Sequence, residues 1–249
     1  MPAVVTLSRE GRVAVVRMEE RETSNALSQG LLAGLISVFG EIARDESVHA
    51  VVVHGYDSVF SSGARREELL EILDRLYDPQ RQEGPQLFRL FLECEVPVIA
   101  AMQGHAIGGG LLLGLYADVP LFAEESLYST NFVEFGFPPS GGATVVVPAK
   151  LGPNLAHEML FSARRYHGGE LRARGAPITV LKRKEVIPAA LRLAADIAAN
   201  SRTALRLLKR QLSAPLLGEM PEAIRRETRE AQAALAQPGV RERLLRGGG

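Results

Sequence analysis

The sequence predicts an α/β fold with a helical region at its C-terminus, and three observations predict it. Short β-branched segments alternate with amphipathic helices in a strand, strand, helix order. Two strand-to-helix junctions are rich in glycine. Beyond about residue 184 strand signals stop while helical spacing continues. We divide the 249 residues into an α/β core, 1–195, and a helical region, 196–249.

Residues 4–7 and 13–18 alternate or cluster β-branched residues on either side of Glu10-Gly11, which predicts an opening hairpin. Ser28 is placed as an N-cap, and Leu31, Leu32, Leu35, Ile36, Phe39 and Ile42 follow at helical spacing. Residues 51–54 are a buried strand closed by the turn Gly55-Tyr56-Asp57. Residues 65–77 read as helix, broken at Asp78-Pro79, with a polar link over 80–85 and another helix over 86–94. Strand 96–102, helix 108–117 and strands 119–123 and 127–130 follow. Right-handed crossovers between parallel strands suit this order. The tail reads as three helices, 187–199, 202–212 and 221–235, and Gly247–Gly249 frays.

Composition excludes several function classes. Lys plus Arg number 29 and Asp plus Glu number 29, so the basic excess that nucleic acid needs is lacking. Cys94 is the single cysteine, which forbids an intrachain disulfide and fits a cytoplasmic setting. No basic segment followed by an apolar run opens the chain, so no signal peptide is expected. The most apolar stretch, 96–123, is interrupted by polar residues, glycines and Pro120, so no membrane span is expected. The five histidines lack metal-ligand spacing, and no metal is expected.

The chemistry concentrates at the two glycine junctions. Phe60-Ser61-Ser62-Gly63-Ala64 follows one strand, and Gln103-Gly104-His105-Ala106-Ile107-Gly108-Gly109-Gly110 follows another. Backbone N–H groups at a helix start lack intrahelical partners and favour negative charge. Two such donors aimed at one oxygen stabilise an enolate. Taken alone, the glycine triplet reads first as a device for tight helix packing, and it is the pair of motifs in this order that points to the donors.

Together with Asn25-Ala26-Leu27-Ser28, Pro97–Gly104 and Phe135-Gly136-Phe137-Pro138 with Gly141-Gly142, these motifs resemble the enoyl-CoA hydratase/isomerase (crotonase) superfamily over nearly the whole chain. The resemblance implies a crotonase-like spiral of ββα turns, a C-terminal helical trimerisation region and therefore a homotrimer. It also implies an oxyanion hole made by the N–H groups of Ala64 and Gly109. Hydratases of the family carry two glutamates that handle water, and the matching positions here are Leu112 and Phe132. Neither side chain can move a proton, so hydration is not expected.

An enolate-forming reaction that activates no water fits better, and decarboxylation is one. The segments 94–105, Gly114–Asp118, Glu125–Tyr128 and Asn131 to Phe137 resemble the decarboxylating hydratase-like enzymes of polyketide β-branching. Those act on a 3-methylglutaconyl group carried by phosphopantetheine on an acyl carrier protein, with no further cofactor. Ile72 stands where some members place a lysine, and Ala231 stands near the position of a histidine.

Other candidates carry two readings each. His105 orients a carboxylate or donates a proton, or it binds loop backbone. Glu68, one turn after Ala64, faces the site or solvent. Asn131 binds the substrate carboxylate or caps a turn. Leu112, Phe132, Ile72 and Tyr128 are assigned to the substrate pocket, with core as the alternative for Tyr128 and Phe132. Arg65 and Arg66 head the basic clusters (with Arg164, Arg165 and 182–184) that would steer an acidic carrier or the phosphates of coenzyme A. The alternative function is an enoyl-CoA isomerase or hydratase on coenzyme A esters, using Glu68 or Glu134 as base. A catalytically inert scaffold is the third reading.

Overall fold

The computed structural model of the chain describes residues 4–65, 86–237 and 239–240. The predicted helix over 65–77, the link over 80–85, the terminal glycines and the candidates Arg66, Glu68 and Ile72 lie outside the described residues, apart from Arg65.

Two sheets form the frame. The larger has strand order β1 (Val5–Glu10), β2 (Val13–Met18), β3 (Ala50–His54), β5 (Val98–Met102), β7 (Val119–Ala123) and β10 (Thr179–Leu181). The hairpin β1–β2 is antiparallel, and every later pairing in that sheet is parallel. The smaller has order β4 (Val59–Ser61), β6 (His105–Ile107), β8 (Leu127–Ser129) and β9 (Arg165–His167). Its three-residue members β4 and β6 are too short to show the alternation by which strands are read from sequence.

Alternation along the longer strands splits the core into two layers. Ala14, Val16, Val51, Val53, Val98 and Ala100 face one side. Val13, Val15, Ala50, Val52, Ile99 and Ala101 face the other. Helix α1 (Gln29–Arg44) packs on the first side through Leu31, Leu35, Val38, Phe39 and Ile42. Its N-cap is Ser28, whose Oγ accepts from the Leu31 N–H at 3.0 Å. Helix α2 (Gln86–Glu93) and helix α3 (Gly109–Leu115) share that layer. A 3₁₀ turn, Val133–Phe135, leads to α4 (Ala143–Leu151) and α5 (Pro153–Ser162). Helix α6 (Gly168–Ala173) precedes β10.

Helix α7 (Arg183–Ala198) covers the second side through Val186, Ala190, Ala194 and Ala198. The sequence division at 195/196 therefore falls inside a helix that belongs to the sheet. The tail also differs from expectation: Arg202–Leu235 is one helix, α8, where two were expected. Pro215 and Pro221 lie inside it. Its inward stripe of Lys209, Ser213, Met220, Ala223, Glu227 and Ala231 stays buried across both prolines, so packing carries the helix through residues that would end an isolated one. Lys209 pins α8 to the core: its Nζ donates to both Asp118 carboxylate oxygens, at 2.7 and 2.6 Å, and to the Phe91 carbonyl at 2.9 Å. Among the described residues no helix is long and apolar enough to cross a membrane.

Candidate active site

Asn25 holds the first junction together. It is buried and left-handed, with φ 51°. Its Nδ2 donates to the carbonyls of Met18 and Phe60, both at 3.0 Å, and its Oδ1 accepts from the Glu20 N–H at 2.7 Å. Ser61 Oγ donates to the Asn25 carbonyl at 2.7 Å, and the Leu27 N–H donates to the Gly63 carbonyl at 2.9 Å. The strand end before Ala64 is thereby bound to loop 24–28. Asn25 opens the Asn25-Ala26-Leu27-Ser28 motif, but its role as this clamp was not apparent from the sequence.

The second junction lies against the first. Gly63, at φ +78°, approaches so closely that a Cβ on it would stand 2.3 Å from the Ile107 carbonyl oxygen and 3.3 Å from the Gly109 nitrogen. Gly108 adopts φ +53°, ψ −121° as the cap of α3 and donates to the Ser129 carbonyl at 2.8 Å. A Cβ on Gly110 would stand 2.4 Å from the Ser61 carbonyl oxygen. These contacts require glycine, because only a bare Cα allows both the dihedral and the approach. Packing and donor display are thus properties of the same glycines. Among the described residues, neither the Ala64 nor the Gly109 N–H meets a hydrogen-bond acceptor.

Apolar groups wall this point. A Cβ on Gly109 would stand 2.6 Å from Leu27 Cδ1 and 3.8 Å from Phe88 Cζ. Phe88 also touches Gly141, where a Cβ would meet its ring at 2.6 Å, and its ring lies 5.5 Å from that of Tyr116. Leu112 and Phe132 are buried in the same cluster, and Phe132 meets Phe137 edge-on at 6.5 Å. Leu27, Phe88 and Gly141 had no assigned site role, since nothing in the sequence order brings them to Gly109.

Asn131 is half-buried, and its Oδ1 lies 2.8 Å from where a Gly108 Cβ would be. The structure therefore brings this candidate to the glycine hinge. Tyr128 corrects the pocket assignment. It is fully buried, stacked on Phe122 at 3.9 Å, and its hydroxyl donates to the Met102 carbonyl and accepts from the Ala123 N–H. It is a core residue. Its phenol is pushed far up by burial.

His105 takes the backbone-binding reading. Its Nδ1 accepts the Leu127 N–H at 2.9 Å. It shares a face of the small sheet with His167, opposite the buried face of Ala106, Tyr128 and Tyr166. Desolvation, and then Arg183 and His167, hold its pKa below the usual histidine range. The basic clusters also divide. Arg164 pairs with Glu158 and Glu170, Lys182 with Glu124, and Arg183 donates to the Gln103 carbonyl. Arg65 is exposed immediately after Ala64.

The comparisons with known proteins match this architecture. The sequence pattern of the enoyl-CoA hydratase/isomerase family fits residues 8–245. The chain is 41% identical, over 94% of its length and 93% of the relative's, to the bacillaene synthase decarboxylase PksI of Bacillus subtilis (strain 168). It superposes on the ECH2 decarboxylase domain of CurF from Lyngbya majuscula with TM-score 0.91 and 39% identity, covering 98% of each chain. It also superposes on a chain from a dehydratase/decarboxylase couple involved in polyketide β-branching, with TM-score 0.92, 41% identity and 99% of each chain covered. The fold and the resemblance read from the motifs are thereby met, and the chain belongs to the enoyl-CoA hydratase/isomerase (crotonase) family.

Proposed function

We propose that the protein is a carbon–carbon lyase that decarboxylates a 3-methylglutaconyl-type thioester on an acyl carrier protein during polyketide β-branching. The reading rests on one observation: two N–H groups, on Ala64 and Gly109, that have no acceptor among the described residues stand among apolar residues, with Leu112 and Phe132 where hydratases carry glutamates. The relatives named as decarboxylases support the reaction class.

The bond between the γ carbon and the carboxylate breaks, and carbon dioxide leaves. The electron pair moves through the alkene into the thioester carbonyl, whose oxygen becomes the anion. Two N–H donors stabilise that oxygen more than the ground-state carbonyl, which lowers the barrier. A proton then returns to carbon, giving a 3-methylcrotonyl or isomeric product. An apolar wall suits this step, because a carboxylate held away from water is poorly stabilised and its departure as neutral gas relieves that. Asn131 positions the substrate beside Gly108, and Arg65 meets the acidic carrier or its phosphate. The chemistry needs no cofactor beyond the phosphopantetheine arm. The enzyme acts in the cytoplasm as a homotrimer, supported by Leu207, Leu208 and Leu212, which α8 leaves 50–69% exposed. Sedimentation velocity would test the assembly, and a monomer would refute it.

Incubation with 3-methylglutaconyl acyl carrier protein, followed by intact-protein mass spectrometry, tests the reaction. Loss of one carbon dioxide is expected. Unchanged substrate mass, with a carrier shown to be competent upstream, would overturn the assignment.

A further inference from the structure

Glu227 is a buried carboxylate, 5% exposed, on a helix far in sequence from the glycine junctions. Its Oε2 accepts from the Gly142 N–H at 2.7 Å, and its Oε1 accepts from the Thr144 N–H at 2.8 Å and the Thr144 hydroxyl at 2.6 Å. These donors lie at the start of α4, whose own cap residue, Gly142, has no side chain to satisfy them. Helix starts present unsatisfied N–H groups and favour an anion, and here α8 reaches across to supply it. Burial pushes the carboxyl above its usual range, while the three donors favour the charged form.

The capped turn is also a wall of the site. Gly141 and Gly142 are both left-handed, at φ +74° and +80°. Tyr116 fixes the turn from the other side by donating its hydroxyl to the Gly141 carbonyl at 2.7 Å. Gly141 presses on the Phe88 ring at Cε2 and Cδ2, and the tip of that ring, Cζ, borders Gly109. A contiguous series of neighbours therefore runs from Glu227 through Gly142 and Thr144 to Gly141, then Phe88, then Gly109.

We infer that Glu227 is a positioning residue: by anchoring the 141–144 turn it holds Phe88 against Gly109 and sets the geometry with which the N–H donors meet the thioester oxygen. The inference rests on the oxyanion role of Ala64 and Gly109, and it does not require the substrate to be a glutaconyl group. It gives the C-terminal helix a part in the reaction that burial alone would not.

Glu227→Gln keeps the shape, but its amide end offers no acceptor to Gly142. In turnover of the carrier-bound substrate, kcat should fall about 10-fold with KM within about 2-fold, since small misplacements of a catalytic group weigh heavily on rate. Thr144→Val removes a single donor and should lower kcat about 3-fold, on the scale of one hydrogen bond. It serves if the first variant does not fold. The discriminating readout is the infrared carbonyl stretch of bound ¹³C-carbonyl 3-methylcrotonyl-pantetheine thioester. The wild type should shift this stretch to lower frequency, and either variant should move it back toward the free value. A stretch unchanged from wild type in both folded variants would overturn the inference, whatever happens to turnover. A wild type that shifts the stretch yet leaves glutaconyl thioesters intact would instead refute the decarboxylase assignment and leave this one standing.

Discussion

The small sheet has two contrasting ends. At one end β4 and β6 run into Gly63, Ala64, Gly108 and Gly109, ringed by Leu27 and Phe88. At the other lie Asp57, Gln103, Glu125, Lys182 and Arg183, which line a cleft of about 780 Å³. Much of the charged end is already partnered. Arg183 donates to the Gln103 and Glu125 carbonyls, Glu125 accepts the Arg183 N–H, and Asp57 pairs with Arg21. Among the described residues, the glycine end has donors without acceptors. Charge already neutralised by neighbours has little left for a substrate, whereas preorganised N–H groups in apolar surroundings respond strongly to charge that appears during a reaction. This charged cleft is thus less suited to catalysis than the glycine end.

Disturbing the glycine end should have the largest effect. Gly63→Ala places a Cβ against the Ile107 carbonyl at a left-handed φ, so the Ala64 N–H must move. We expect kcat to fall on the order of 100-fold, the scale of losing one oxyanion donor, in steady-state assays of decarboxylation on protein shown to be folded by circular dichroism. A loss below about 3-fold would show that the donor pair is not aimed at the reacting oxygen.

Restoring a carboxylate is the next test. Phe132→Glu returns a hydratase-type group to the apolar wall. A negative charge there opposes the developing enolate, and decarboxylation should slow by roughly 10- to 100-fold, the effect of like charges several ångströms apart at an effective dielectric near 20. Carbon dioxide release reads this directly. A faster variant would contradict the requirement for a charge-free wall.

The charged end should behave oppositely. Arg183→Gln removes bonds to Gln103 and Glu125 and should lower stability by about 1 kcal/mol, read as a small fall in thermal midpoint, with kcat within about 2-fold of wild type. A large loss of kcat at unchanged stability would make this cleft part of the site.

The smallest effect is on pH dependence. His54 and His105 both have depressed pKa values, desolvation being the first cause in each case. A depressed pKa means that the folded state binds fewer protons than the unfolded chain. The associated stability is present above the ordinary histidine range and is lost as pH falls through it. Thermal midpoints should therefore drop as pH falls below about 6.5, and His105→Gln should flatten part of that slope. An unchanged slope would remove His105 from this account.

Much of the architecture was legible because it is written locally. The hairpin, the N-cap at Ser28 and the strand-to-helix glycine junctions each follow from neighbouring residues. The segments that carry Ala64 and Gly109 were legible for the same reason, whereas the pairing of their two N–H groups as donors came from the family resemblance. What was hidden depends on distant partners. Tyr128 resembles a pocket residue until its hydroxyl is seen filled by Met102 and Ala123. Phe88, Gly141 and Glu227 reach the site by tertiary packing, and no spacing announces them. The single helix through Pro215 and Pro221 likewise reflects burial against the core overriding a local breaker.

The most direct test of the central claim is isotopic. With 3-methylglutaconyl acyl carrier protein in deuterated water enriched in oxygen-18, a hole that stabilises an enolate without activating water predicts loss of one carbon dioxide, uptake of one deuterium on carbon and no oxygen-18 in the acyl product. A hydroxylated product carrying oxygen-18, with the carboxylate retained, would contradict it.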